Sequence, residues 1–269
     1  MNHLILNPLR IFSDIWRHRY LLGQLIKRDV LLRYRGSLFG VLWIFLSPLL
    51  MLAIFAFIFG QIFPTRWPQH VDAPPPWLLL YSGLIAFNLF SETVSRAPAS
   101  VRGYPSFVKK IIFPLDILPI VPLGASLVHG AFNFMVLLAA LAGTGRLHAE
   151  ILLFPLLAAP LVLLALGLSW FLAAWGVFLK DINHVVPVFM QILLFLSPVF
   201  YPVSAVPLAV RPFYRYNPLG TVIESSRSAV IGLPIEWGSW GIALGVCLLV
   251  SILGYTFFQR SREEFADVL

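Results

Sequence analysis

The sequence predicts an all-α integral membrane protein. Six transmembrane helices are expected, with an N-terminal amphipathic interface helix before them and short re-entrant helices before the last crossing. Three observations carry this. The chain of 269 residues is 59% hydrophobic and 12% charged, with a mean hydropathy of +0.86, whereas soluble domains carry about 25% charged residues. Six stretches, 36–65, 73–91, 117–145, 151–179, 182–210 and 237–259, contain no Asp, Glu, Lys or Arg, and about 20 apolar residues suffice to cross a hydrocarbon core. Finally, the Lys and Arg residues are distributed unevenly between alternate connections. Fourteen fall in 1–35, 92–116, at Lys180 and in the tail, and five (Arg66, Arg146, Arg211, Arg215 and Arg227) fall on the opposite side. Positive charge stays cytoplasmic, so both termini are expected there.

The elements follow in order. Region 1–36 is read as cytoplasmic. Its end, "KRDVLLRYRGSLFG" at 27–40, sets Lys27, Arg28, Arg33 and Arg35 against a long uncharged run. At 100° per residue, Leu21, Leu22, Leu25, Ile26, Val30 and Leu32 share one broad arc. Asp29 and Arg33 are paired at i, i+4 within it, while Lys27, Arg28 and Arg35 lie on the other side. This describes a helix in the cytoplasmic interface, its cations toward headgroups, ending near Gly36. No cleavable signal is expected, because the first apolar run begins only after some 35 residues and exceeds an h-region. The transmembrane domain is placed at 37–259 and a cytoplasmic tail at 260–269. In the first crossing Phe39, Trp43, Phe45, Phe55, Phe57, Phe59 and Phe63 surround the helix and isolate no channel face. The fifth stretch, 182–210, contains Pro187, Pro198, Pro202 and Pro207, and "SPVFYPVSAVP" cannot continue a regular helix. From about 201 to 236 the chain is too polar to span and too apolar for a free loop. Re-entrant or interfacial helices fit it, since irregular backbone at membrane depth must be buried in protein or line a wet cavity. Cys247, the single cysteine, lies in an apolar run and is read as a packing residue.

Several function classes lose support. The net charge of +7 is assigned to loops facing anionic lipid rather than to nucleic acid. No G-x-x-x-x-G-K-[ST] phosphate loop occurs, so ATP hydrolysis by this chain alone is not expected. Histidines 3, 18, 70, 129, 148 and 184 show no metal-ligand spacing, and no G-x-S-x-G nucleophile elbow occurs; neither a catalytic nor a metal site is expected. Glu92 has Arg96 at i+4 and Glu224 has Arg227 at i+3, the spacings at which helical side chains meet. Structural ion pairs are favoured for both over a proton relay, although intramembrane acids often mark relays. Asp116 follows Pro114 at a helix start, where a carboxylate complements the dipole. A secondary transporter, or a membrane enzyme acting on lipid-linked sugars, would need more uncompensated acids or a catalytic cluster.

Three stretches carry a family resemblance. "LIKRDVLLRYRGSLFGVLWIFLSPLLMLAIFAFIFG" (25–60), "NLFSETVSRAPASVRGYPSFVKKIIFPLDILPI" (88–120) and "YNPLGTVIESSRSAVIG" (216–232) resemble permease subunits of type-2 ABC exporters of cell-surface polysaccharides. The resemblance implies the membrane half of an ATP-driven exporter in the bacterial inner membrane. Two copies would pair with two copies of a separate ATPase that binds ATP and Mg, and this chain would bind no cofactor. The implied cargo is a lipid-linked polysaccharide such as O-antigen, with capsular polysaccharide and teichoic acid as close alternatives. It also implies a coupling loop at about 98–113, with Arg102, Lys109 and Lys110, together with Lys27 and Arg28, toward the ATPase. The first and fifth crossings would line a conduit, for which Phe39, Trp43, Phe195 and Tyr201 are the candidates. Gly103-Tyr104-Pro105 stands where the family usually has an Asn-containing turn.

Overall fold

The computed structural model describes residues 10–62, 74–105 and 113–268, and every regular element among them is helical. The helices are α1 (Arg10–Arg17), α2 (Arg19–Tyr34), α3 (Trp43–Phe57), α4 (Pro76–Arg96), α5 (Ala99–Arg102), α6 (Ile120–Gly143), α7 (Ala159–Phe178), α8 (Ile182–Leu196), α9 (Arg211–Tyr216), α10 (Pro218–Ile231) and α11 (Trp237–Ser261). Short helical turns extend several of them, including Gly40–Leu42 and Ile58–Ile62 around α3, Leu115–Ile117 before α6 and Ala149–Leu153 before α7.

Proline sets several of the boundaries. Pro76 and Pro218 occupy the first turns of α4 and α10, where the missing N–H has no helical partner to lose. Asn217 caps α10, its side-chain oxygen accepting the Leu219 amide at 3.0 Å. α2 stops at Tyr34, with Arg35 extended and Gly36 in the left-handed region at φ 82°.

The crossing count differs from the expectation. Among the described residues, five segments are long and apolar enough to cross a membrane: Gly40–Ile62, Pro76–Arg96, Leu115–Gly143, Ala149–Phe178 and Trp237–Val268. The stretch expected to cross at 182–210 forms α8, only 15 residues long, or about 22 Å. It ends because Ser197 precedes Pro198 and is driven to extended backbone, ψ 149°. Beyond it the chain forms a 3-10 turn at Val203–Ala205 and then the short helices α9 and α10.

α4 is the hub, packed against α3, α6, α7, α8 and α10. In its most apolar window 78% of residues are buried, against 17% for Gly40–Ile62. The most extensive helix pair, α7 with α11, closes on glycine. A Cβ on Gly254 would lie 2.0 Å from the Gly167 carbonyl oxygen, so small residues let these backbones touch, as membrane helices require.

Two apolar clusters mark the ends of the bundle. One gathers Leu22 and Leu25 of α2 with Val101, Ile117, Trp170, Tyr255, Phe258 and Phe265, so α2 and the C-terminal segment lie at the same end. There Trp170 donates its indole N–H to the Asp116 carbonyl, and Arg262 pairs with the Asp116 carboxylate at 3.1 Å. At the far end Leu78, Leu79, Leu137, Leu141, Ile151 and Phe154 pack with Val199 and α10.

Candidate functional site

α2 lies across α6 at the terminal end, its charged side chains reaching α4. Its buried face is Leu22, Leu25 and Val30, while Leu31 and Leu32 are exposed, so the apolar arc is narrower than expected. Ile26 sits directly on Gly124 of α6, where an added Cβ would come within 2.2 Å of its Cδ1. Val30 joins Ile44 of α3 and Ala125 of α6. This seat brings four charged residues of α2 and α4 together, with hydrogen-bond partners other than those the spacing suggested.

For the expected pairs Asp29–Arg33 on α2 and Glu92–Arg96 on α4, the hydrogen bonds run across the two helices instead. Arg96 donates to both oxygens of Asp29, at 2.6 and 2.7 Å, and Arg33 donates to Glu92. The Glu92–Arg96 distance is 3.8 Å, too long for a hydrogen bond. The physical reason is docking: with α2 seated on α6, Asp29 and Arg33 come within reach of Arg96 and Glu92 of α4, and an acid and a base on each helix satisfy one another. For Arg96 the cross-helix partner is also the better-shielded carboxylate, Asp29 being 17% exposed and Glu92 23%.

Arg33 is forked. One guanidinium nitrogen reaches Glu92 and the other meets His129 Nδ1 at 2.7 Å. Arginine can only donate, so Nδ1 accepts from Arg33 in the Nε2–H tautomer; the same Nδ1 lies 3.1 Å from Glu92 Oε1, where the Nδ1–H tautomer would donate, and Nε2 faces the Tyr34 hydroxyl at 3.2 Å. Burial raises the Tyr34 hydroxyl pKa above its ordinary value. Asn133 of α6, one helical turn beyond His129, accepts from the Tyr81 hydroxyl at 3.0 Å and donates to the His129 carbonyl at 2.8 Å. Beside this network, between α4 and α6, lies a cavity of about 240 Å³ with Asn88, Ser91, Glu92 and Ser95 on one wall and Ser126 and His129 on the other. His129, Tyr34, Asn133 and Asn88 were not singled out from sequence. The repeat Ser126, His129, Asn133 inside an uncharged run was the available signal.

At the far end Arg227 of α10 is 2% exposed and meets Glu224 at 2.7 Å. It also donates to the carbonyls of Val199 and Tyr201 and lies 3.5 Å from that of Leu79. The two carbonyls follow the break at Ser197, where helical bonding has stopped, and one guanidinium satisfies them both. Arg227 therefore sits in the interior and does not act as a loop charge on either face. A cleft of about 560 Å³ opens beside α10, lined by Glu224, Ser225, Tyr214 and Glu236.

The remaining sequence candidates separate into groups. Lys27 and Arg28 are exposed on α2, along a shallow groove of about 450 Å³ shared with Arg35. Arg28 stands 5.8 Å over the Tyr104 ring, which joins α2 to the end of the expected coupling loop. Arg102 is half-buried at the end of α5, which packs on α7. Lys109 and Lys110 lie outside the described residues. Phe39 and Trp43 meet edge to face at 5.8 Å near α2. Phe195 is exposed at the opposite end, where Tyr201 donates to its carbonyl at 3.1 Å and meets the Tyr214 hydroxyl at 3.2 Å. The four conduit candidates are thus two pairs at opposite ends of the bundle.

Residues 20–231 match the family model of the ABC-2 type transporter. The chain is 25% identical to the O-antigen export system permease protein RfbA of Myxococcus xanthus, over 96% of this chain and 99% of that one. A protein of the same name from Klebsiella pneumoniae is 24% identical, over 93% of this chain and 95% of its own length. The polysialic acid transport protein KpsM of Escherichia coli is 27% identical, over 89% of this chain and 92% of its own. With a family match running from α2 to the end of α10, this chain belongs to the ABC-2 type transporter family.

Proposed function

We propose that this chain is the transmembrane subunit of an ATP-driven exporter that moves a lipid-linked, O-antigen-like polysaccharide across the bacterial inner membrane. Two copies form the permease and two copies of a separate ABC ATPase drive it. The observation that carries this reading is the end-to-end likeness to O-antigen export permeases. The lack of a phosphate loop in the sequence supports placing ATP and Mg on the partner. Export of capsular polysaccharide is the second reading, favoured by the likeness to polysialic acid transport proteins.

The crossing count in this reading is six, with cytoplasmic termini. It is supported by α8 leaving the terminal end after α7 and by the Arg227 contacts of residues 199 and 201 at the far end. α9 and α10 then form the outer, re-entrant cap. The ATPase docks at the terminal end, against Lys27, Arg28, Arg102 and the coupling loop. Because α2 is bonded to both α4 and α6, a push on α2 moves three helices as one body. α3 and α8, the least covered by this chain, face the second copy and the conduit.

The test is deletion of this chain in its host. Lipid-linked polysaccharide is expected to accumulate on the cytoplasmic side and to return to the surface on complementation. Export should stop when the ATPase is inactivated and survive when the proton gradient is dissipated. The reverse dependence would make the chain a secondary transporter.

A further inference from the structure

The cavity between α4 and α6 contains more hydrogen-bonding capacity than the protein uses. Asn88, Ser91 and Ser95 lie on one stripe of α4, at three- and four-residue spacing, and none has a hydrogen-bond partner among the described residues. Membrane-helix hydroxyls ordinarily bond back to a carbonyl one turn earlier. Thr93 does so to Leu89 and Ser126 to Pro122; Ser91 and Ser95 do not. Asn88 is exposed and eight residues short of the end of α4, about 12 Å inside it. A carboxamide facing hydrocarbon at that depth would be left unsatisfied at a cost of several kcal/mol, and Ser91 and Ser95 carry the polar stripe on to the last turn of α4. The stripe therefore faces a polar occupant.

The lining defines the chemistry of that occupant. Asn88 and the serines both donate and accept, Asn133 adds an amide, and Ile85 and Leu89 supply an apolar patch. The volume, about 240 Å³, equals the share of roughly eight liquid waters and admits a single pyranose-sized ring. Glu92 is the only charged lining residue; Arg33 is committed to Glu92 and His129, and Arg96 to Asp29 through Nη2, its Nη1 standing 3.8 Å from Glu92 without a hydrogen bond. An anionic ring would meet the Glu92 carboxylate, with no Lys or Arg in the lining.

We propose that this cavity is a subsite for one uncharged, hydroxyl-rich sugar ring of the polysaccharide in transit, an inference that rests on the export reading above. The apolar patch takes the C–H face of the ring, and Asn88, Ser91 and Ser95 take its hydroxyls. The subsite lies on the hub helix one turn from the Arg33–Glu92 contact, so cargo and the α2 clamp bear on the same segment.

The test uses the complete exporter in membrane vesicles, with Cys247→Ala as background and single Ser91→Cys and, as a reference at an exposed apolar position of α11, Leu249→Cys variants. A small charged thiosulfonate reagent is expected to modify Ser91→Cys about tenfold faster or more, since thiolate forms only where water reaches. A neutral methyl glycoside should slow that modification and a methyl glucuronide should not. Equally slow modification at both positions places the stripe against lipid, and a disulfide between two Ser91→Cys copies assigns it to a protein interface; either overturns the subsite. Equal protection by the glucuronide overturns its preference for an uncharged ring. In cells, Asn88→Leu with Ser91→Val is expected to lower surface polysaccharide about tenfold, the loss of two or so hydrogen bonds, while the ATPase still co-purifies; Asn88→Gln should retain more export. Full export by the double variant removes the subsite and leaves the permease reading intact. Unchanged export on deleting the whole chain removes the permease reading itself.

Discussion

The two ends of α4 are held by charged groups in opposite ways. At the far end one arginine, Arg227, is almost fully enclosed and spends its donors on backbone carbonyls as well as on Glu224. At the terminal end four charges and a histidine share the load, and Arg33 and Arg96 each keep about a third of their side chains exposed. The first arrangement closes a permanent gap in the backbone. The second joins three separate helices by contacts that water can reach. An enclosed charge cannot lose a partner cheaply, whereas half-exposed pairs can rearrange. Stability is therefore expected to rest on the far end, and movement to be permitted at the terminal end.

The comparison breaks most sharply at Arg227. Arg227→Met keeps bulk but strands the carbonyls of Val199 and Tyr201 and leaves Glu224 unpaired, a loss of about 3–5 kcal/mol. The variant is expected to be absent from the folded membrane fraction, or to unfold at a markedly lower temperature in detergent. Glu224→Gln should cost much less, because Glu224 keeps 38% of its side chain exposed and can be solvated. Equal damage from both variants would mean that the ion pair, rather than the carbonyls, gives Arg227 its importance.

The cross-helix pairs come next in size. Asp29→Arg opposes Arg96 and should destabilise the docked α2 by about 1–3 kcal/mol. Combining it with Arg96→Asp should restore most of that loss. A double-mutant cycle on Glu92 and Arg96 should give a coupling below about 0.5 kcal/mol, the value for an exposed helical pair. A larger coupling on α4 than across to α2 would restore the intrahelical pairing.

Gly124→Ala probes the seat rather than the charges. The new methyl would meet Ile26 at 2.2 Å, but the colliding atom ends a side chain that can turn, so the expected loss is about 1 kcal/mol. It should appear as faster proteolysis within residues 19–35. Ile26→Ala in the same chain should relieve the clash.

The sequence was informative where physics acts along the chain, and less so where it acts between helices. Uncharged runs of membrane length located the five full-length segments, and the Pro198 and Pro202 interruption foreshadowed the end of α8. Glu224 and Arg227 meet as their i, i+3 spacing suggests, because they face the same side of α10. For Asp29, Arg33, Glu92 and Arg96 the i, i+4 rule found the right residues and the Glu92–Arg96 ion pair, which stands at 3.8 Å, but not the shorter partners across the helices. Spacing along one helix says nothing of a second helix that brings its own carboxylate within hydrogen-bond distance. Burial of Arg227 was equally hidden, since a single arginine near a polar segment reads as a loop charge. Gly124 meets Ile26 across nearly a hundred positions, a closeness no local pattern encodes.

The smallest effect isolates the least charged link of the terminal cluster. Tyr34→Phe removes only the hydroxyl that His129 Nε2 faces at 3.2 Å, leaving Arg33 on Nδ1. A single neutral hydrogen bond near water contributes about 0.5–1.5 kcal/mol, and the thermal midpoint should fall by a few degrees at most. His129→Gln should be tolerated less well than Tyr34→Phe, because the ring also contacts Arg33 and Glu92. Glutamine has no ring to reach Arg33 and Tyr34 at the same time. Equal stability of the two variants would show that His129 serves the cluster through its contact with Tyr34 alone, and that the fork of Arg33 depends on Glu92.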